Sequence, residues 1–168
     1  MYRTLYSLLI IIPVAAQGVP ESLAVEDRFS GFSSEDTLTI RSPEARMDEE
    51  PDIIHFEGGF ELRAEDWYLS SDHATLYGKL DDPETVVITG SPAQIQISTV
   101  SRGKTAMISG KAERIVYQRT TNSIRMEGDA SLSRNEHTMS GGEIEYDIEN
   151  DHLRAGGDGG VHIEVLPH

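Results

Sequence analysis

From Leu38 onward the chain alternates apolar and polar residues at period 2, the pattern of strands that bury one face. No stretch of eleven residues carries apolar positions at the 3.6 spacing of an amphipathic helix. The alternation predicts a first strand at Leu38–Ile40. Further strands are predicted near 53–63, 67–77, 85–90, 93–98, 106–118, 122–134, 137–148, 151–156 and 160–166. Turn-forming stretches separate them at Arg46–Pro51, Leu80–Pro83, Ser101–Gly103, Thr120–Asn122, Asn135–Glu136 and Glu149–Asp151. The expected architecture is all-β and antiparallel.

Within this alternation a short pattern returns four times, at Ile54–Leu62, Val86–Pro92, Ile124–Leu132 and Leu153–Ile163. Each copy holds a glycine, and these glycines, Gly58, Gly90, Gly128 and Gly157, stand 32, 38 and 29 residues apart. Each copy after the first is preceded by a strand ending in Tyr77, Tyr117 or Tyr146, so the unit is strand, tyrosine, polar turn, strand, glycine. Self-similarity at this period means repeated hairpins stacked along a sheet. Glycine inside a strand lowers stability unless the strand bends there or something approaches closely. Two readings follow: bends in a coiled sheet, or gaps between large side chains that leave room for an apolar guest.

Composition narrows the class. The chain's 168 residues suit one domain with short tails, expected over 36–166, and 15 Gly with 7 Pro fall mostly between the alternating segments. A hydrophobic content of 38% fits a thin or open sheet structure better than a thick closed core. Residues 1–16 read as a secretory signal, with Arg3, an apolar run from Leu5 to Val14, and Val14-Ala15-Ala16 before a cleavage at Gln17. The run is short for a membrane span, which takes about 20 residues. Left uncleaved, it would make an anchor. Residues 17–35 are small and polar and read as a flexible lead-in. The chain has no cysteine, which excludes lipoprotein attachment and suits a bacterial periplasm.

The formal net charge is -15, with 29 acidic against 14 basic residues. Nucleic acid is a poor partner, because phosphate contacts need Lys and Arg, and an anionic membrane surface is equally unfavourable. No constellation points to catalysis. The acids of Asp48-Glu49-Glu50, Asp81-Asp82 and Glu149-Asn150-Asp151 fall in predicted turns, where charge is simply solvated. The six histidines, His55, His73, His137, His152, His162 and His168, show no metal-ligand spacing, so neither a metal nor a cofactor is expected. His55 and His162 take the outward phase of their strands. Ser109-Gly110 and Ser140-Gly141-Gly142 read as bends, and Trp67 as packing.

The order of these elements resembles the OstA-like domain family of lipopolysaccharide transport proteins, which includes LptA, LptC and the N-terminal domain of LptD. The resemblance rests on Ile54–Leu62, Gly90-Ser91-Pro92-Ala93-Gln94-Ile95, the set Tyr117, Gly128, Ala130 and Leu132, and the set Gly141, Ile144 and Tyr146. It spans about 36–166. The family often has Gly-Asn-Val where this chain has Gly58-Gly59-Phe60, and it is often less acidic. The resemblance implies an open, twisted β-jelly roll whose interior passes the acyl chains of lipid A while the sugars stay outside. It implies groove residues at Leu38, Ile40, Ile54, Phe56, Ile88, Ile95, Tyr117, Ile124, Met126 and Leu132. The last strand, with Val161, Ile163 and Val165, is expected as an exposed edge that pairs with LptC-like or LptD-like proteins, or head to tail with a second copy. The expected role is therefore a periplasmic carrier of lipopolysaccharide. The alternatives are a membrane-anchored LptC-like subunit or an adaptor that uses its sheets only for protein pairing.

Overall fold

The computed structural model describes residues 37–165 apart from 51, 81, 102, 103 and 136. The expected signal segment at 1–16 and the lead-in at 17–35 lie outside the described residues. Twelve strands and no helix are found among those described: β1 (Thr39–Arg41), β2 (Glu44–Met47), β3 (Ile53–Glu57), β4 (Phe60–Arg63), β5 (Trp67–Ser71), β6 (His73–Lys79), β7 (Asp82–Ser101), β8 (Lys104–Gln118), β9 (Ser123–Arg134), β10 (His137–Asp147), β11 (His152–Gly156) and β12 (His162–Val165). Every pairing between them is antiparallel.

Four long strands, β7 to β10, run through two layers. In the first layer the order is β1-β4-β5, then one half each of β7, β8, β9 and β10, then β12. The second layer starts with β2-β3-β6, continues through the other halves of the same four strands, and ends with β11. The register shifts where each long strand passes from one layer to the other, between Thr89 and Ala93, Lys111 and Arg114, and Gly141 and Glu143. A bulge bends its strand and sharpens the local twist, which folds one sheet into a V with a corner along these shifts.

The repeat glycines mark that corner. Gly58 lies between β3 and β4, Gly90 and Gly128 sit at the shifts of β7 and β9, and Gly157 lies between β11 and β12. At Gly128 the backbone has φ +78, and an added Cβ would stand 2.8 Å from Glu113 Cβ, so a side chain there is strained twice over. The bend reading of the glycines is the one the fold carries. The predicted strands at 53–63 and 67–77 each divide at this corner, into β3 with β4 and β5 with β6. Those predicted at 85–90 and 93–98 join through it as the single strand β7. Arg46–Pro51, expected as a turn, gives its first two residues to β2, because Ala45 and Met47 are in phase to pair with Phe56 and Ile54. The turn is then tighter, with the Asp48 amide donating to the Ile53 carbonyl at 2.9 Å.

The core lies between the layers. Leu62, Leu69, Leu76, Ile88, Ile97, Ile108, Ile115, Ile124, Met126 and Ile144 are fully buried there. Each such aliphatic side chain is worth about 1.5–3 kcal/mol of burial. Phe56 and Phe60 pack across the corner with ring centroids 5.1 Å apart. On the outer face charges alternate instead, as in Arg114–Glu127 at 2.8 Å and Arg125–Glu143 at 2.9 Å.

Candidate functional site

The inner faces of the strands line up as apolar rows that cross the whole molecule. In the second layer one row reads Met47, Ile54, Leu76, Val86, Tyr117, Ile124, Tyr146, Leu153. In the first layer another reads Ile40, Leu62, Leu69, Ile95, Gly110, Leu132, Met139, Ile163. Cross-strand neighbours share a face, so each row is one continuous lining. The rows run out to water at both ends. Met47 is 72% exposed at the β2 end, and Ile163 and Val165 are 58% and 60% exposed at the β12 end. Large apolar groups left open at both ends of a buried lining mark an unfinished interior.

All ten residues predicted for the groove lie on this inner side. Phe56, Ile88, Ile95, Tyr117, Ile124, Met126 and Leu132 belong to the buried core, and Leu38, Ile40 and Ile54 pack against it partly buried. The middle of the interior is filled rather than vacant. Gly110, expected as a bend, is instead an inner-row position: a Cβ there would lie 2.6 Å from Met126 Sδ and 2.9 Å from Ile95 Cγ2. Among the described residues, space opens toward the β12 end. There a cavity of about 260 Å³ is lined by Leu132, Met139, Leu153 and Ile163, with Arg134, His137 and Tyr146 among its polar walls.

Opposite the corner the two layers close on each other along a seam. In its middle Trp67 of β5 meets Tyr117 of β8 edge to face, with centroids 4.8 Å apart. Nearer the cavity, Arg134 of β9 pairs through Nη1 with both carboxylate oxygens of Asp151, and the Tyr146 hydroxyl donates to Asp151 Oδ1 at 3.0 Å. Arg134 stands in register with the buried Ile108, so it occupies an inner position on its strand. Two units of the sequence repeat thus supply a buried tyrosine to the seam. The third, Tyr77, is 40% exposed, because Ala74 and Leu76 take the inner phase of β6 and Tyr77 alternates with them onto the outer face.

Burial pushes the Tyr117 phenol from 10.0 up to about 12. Burial, together with the hydrogen bond to Asp151, raises Tyr146 as well. A raised phenol pKa means that the unfolded chain loses its proton first. The contribution of Tyr117 to stability is therefore complete below about pH 10 and is lost as pH rises toward about 12, at no more than ~1.4 kcal/mol per pH unit. Chemical denaturation between pH 8 and 12 should show Tyr117→Phe with a shallower alkaline decline than the parent. An identical slope would mean that this phenol ionises freely in the fold.

Val161, Ile163 and Val165 lie exposed at the β12 end, and in register Ile163 stands beside Met139, facing the cavity. Among the described residues β12 pairs with β10 alone, and β1, β2 and β11 also have one partner each. His55 faces outward, with Nε2 2.8 Å from Asp48 Oδ2 and Nδ1 3.1 Å from Thr75 Oγ1. That hydrogen bond is the first cause holding the exposed Asp48 carboxyl below its usual value. Sequence reasoning missed Arg134 and Asp151. The period-2 phase through Ala130, Leu132 and Arg134 was the available signal for an inward charge. Nothing local marked Asp151 as its partner.

Comparison with known proteins places this geometry. A profile described as the LptA/(LptD N-terminal domain) LPS transport protein matches residues 39–152. Among solved structures, the crystal structure of LptH from Pseudomonas aeruginosa is similar. It is described as the LptA-homologous periplasmic component of the lipopolysaccharide transport device. The likeness has a TM-score of 0.70 at 18% identity and covers 82% of this chain and 100% of that one, which establishes a shared fold. A search of curated protein sequences finds no match.

Proposed function

The chain belongs to the LptA/LptD N-terminal-domain family of lipopolysaccharide transport proteins, and from that premise we propose that it is a periplasmic bridge whose interior carries lipopolysaccharide acyl chains toward the outer membrane. The observation that carries this reading is the lining exposed at both ends, at Met47 and at Ile163. An interior that served only as a core would end in polar residues or a covering element. One that must continue into the next domain has to leave apolar groups open.

The energetics agree with the cargo. Each methylene moved from water into such a lining is worth about 0.8 kcal/mol, so a few acyl chains supply ample affinity. The net charge of -15 repels the phosphates of lipid A and keeps the headgroup outside, unless divalent cations bridge the two. Binding that depends on hydrocarbon alone varies little along the path, which is what a sliding cargo requires. The single-partner strands at each end, β1 and β2 opposite β11 and β12, are templates for pairing with LptC-like and LptD-like domains or with a second copy.

Site-specific photo-crosslinking tests the interior. A photoreactive residue at Phe56, Ile95 or Met126 should label lipopolysaccharide. The same residue at Arg125, next to Met126 but on the outer face and 54% exposed, should not. Equal labelling at all four positions, or none at the three inner ones, would overturn the proposal.

A further inference from the structure

We propose that Arg134, Asp151 and Tyr146 form a latch between the two layers, and that a hydrocarbon chain passes sideways between the cavity and the water only when this latch parts. The inference deepens the carrier reading and rests on it for the identity of the cargo. The filled middle of the interior sets the problem. With Met126 and Ile95 already crowding the space above Gly110, a guest fits only if the layers move apart.

The seam is not uniform in its resistance to that movement. At its middle stand Trp67 and Tyr117, buried and in ring contact, so parting them exposes apolar surface to water. At the cavity end the same two layers are joined by the Arg134–Asp151 pair, whose side chains are 32% and 37% exposed. An ion pair in that position exchanges its partner for water at small net loss, whereas an apolar contact does not. The contact of Nη1 with both carboxylate oxygens, together with the Tyr146 hydrogen bond, still gives the closed state a definite shape. Tyr146 orients the Asp151 carboxylate from the second layer, and Asp151 holds its place at the β10–β11 turn with φ 54. An inward arginine where Ala130 and Leu132 precede it on β9 is otherwise hard to account for, since an aliphatic residue would close the mouth more firmly. The seam thus has a fixed centre and a separable end, and the separable end borders the cavity.

The absence of cysteine allows a direct test. Leu132→Cys places one thiol beside the cavity, and Ile88→Cys places one in the filled middle. Maleimide labelling is followed on lipid-free protein in each background, with and without Arg134→Ser, which removes the charge without adding an apolar side chain. Loss of the latch should speed labelling at position 132 by about three- to fivefold, the effect of one half-exposed ion pair, and leave position 88 unchanged. Exchanging the two charges, Arg134→Asp with Asp151→Arg, should restore slow labelling. No acceleration at 132, or the same acceleration at 88, would overturn the latch, the second by showing mere loss of global stability. In a separate arm, release of bound lipopolysaccharide should quicken in Arg134→Ser while the amount bound at saturation stays the same; unchanged release would overturn the latch as a control on cargo. If the thiol experiment succeeds but the parent protein binds no lipopolysaccharide, the carrier reading fails while the latch between the layers stands.

Discussion

Trp67→Ala will lower the stability of the domain by about 3–5 kcal/mol, the range for removing a large aromatic from a packed core. Trp67 is only 4% exposed, stands in the first layer, and reaches across the interior to Tyr117 of the second. The loss therefore has two parts: the apolar area returned to water and a hole at the middle of the seam. For a domain of this size the melting temperature should fall by roughly 10–20 °C. Trp67 is the only tryptophan, so the measurement is denaturation followed by circular dichroism rather than by indole fluorescence. Trp67→Phe keeps the edge contact and should recover most of the difference. A loss below about 1 kcal/mol for the alanine variant would show that the layers are not held together at this point.

Gly157→Ala will release β12 from β10. Gly157 has φ +117, and an added Cβ would lie 2.7 Å from Gly142 Cα and 2.9 Å from its nitrogen. Both obstacles are backbone, so no rotamer change relieves them, and the dihedral alone costs about 1–3 kcal/mol for an L side chain. β12 has four residues and one partner, and its side chains are exposed, so little opposes its detachment. Amide hydrogen exchange should show lost protection over His162–Val165, with β7 and β8 unaffected. Gly159→Ala is the control, since nothing lies within 4 Å of its added Cβ. Equal loss of protection in both variants would refute the role of the Gly157 corner. Because Ile163 forms part of the cavity wall, Gly157→Ala should also weaken lipopolysaccharide crosslinking at the β12 end.

Several features of the fold and site were legible before any coordinates. The inner positions Ile88, Ile95, Ile124 and Met126 follow from alternation alone, because side chains on a strand point to opposite faces in turn. The repeat glycines announced bends. What alternation concealed was the meaning of the bends. Gly58 divides one predicted strand in two, whereas Gly90 lies within a strand that continues. In both cases the local sequence shows a glycine with apolar residues two positions away on either side, Phe56 and Phe60 or Ile88 and Pro92. Gly110 misled in the opposite direction: it looks like a bend and is a place where two side chains converge. Tyr77 matched Tyr117 and Tyr146 in sequence but not in position, because it alternates with the buried Leu76, whereas Tyr117 and Tyr146 share the inner phase of Ile115 and Ile144.

Period 2 and turn chemistry are properties of neighbours along the chain, and they sufficed for the class of the fold, the buried face of each strand and the order of the hairpins. Which residues meet across the interior was decided only by the tertiary structure. Trp67 finds Tyr117 fifty residues on in the chain, and Arg134 finds Asp151 across a gap that no hairpin spans. The physical reason is the register shift at the corner. One extra residue on one strand changes the phase of everything beyond it, at little energetic difference locally, and the packing of two layers then selects the phase that closes the seam.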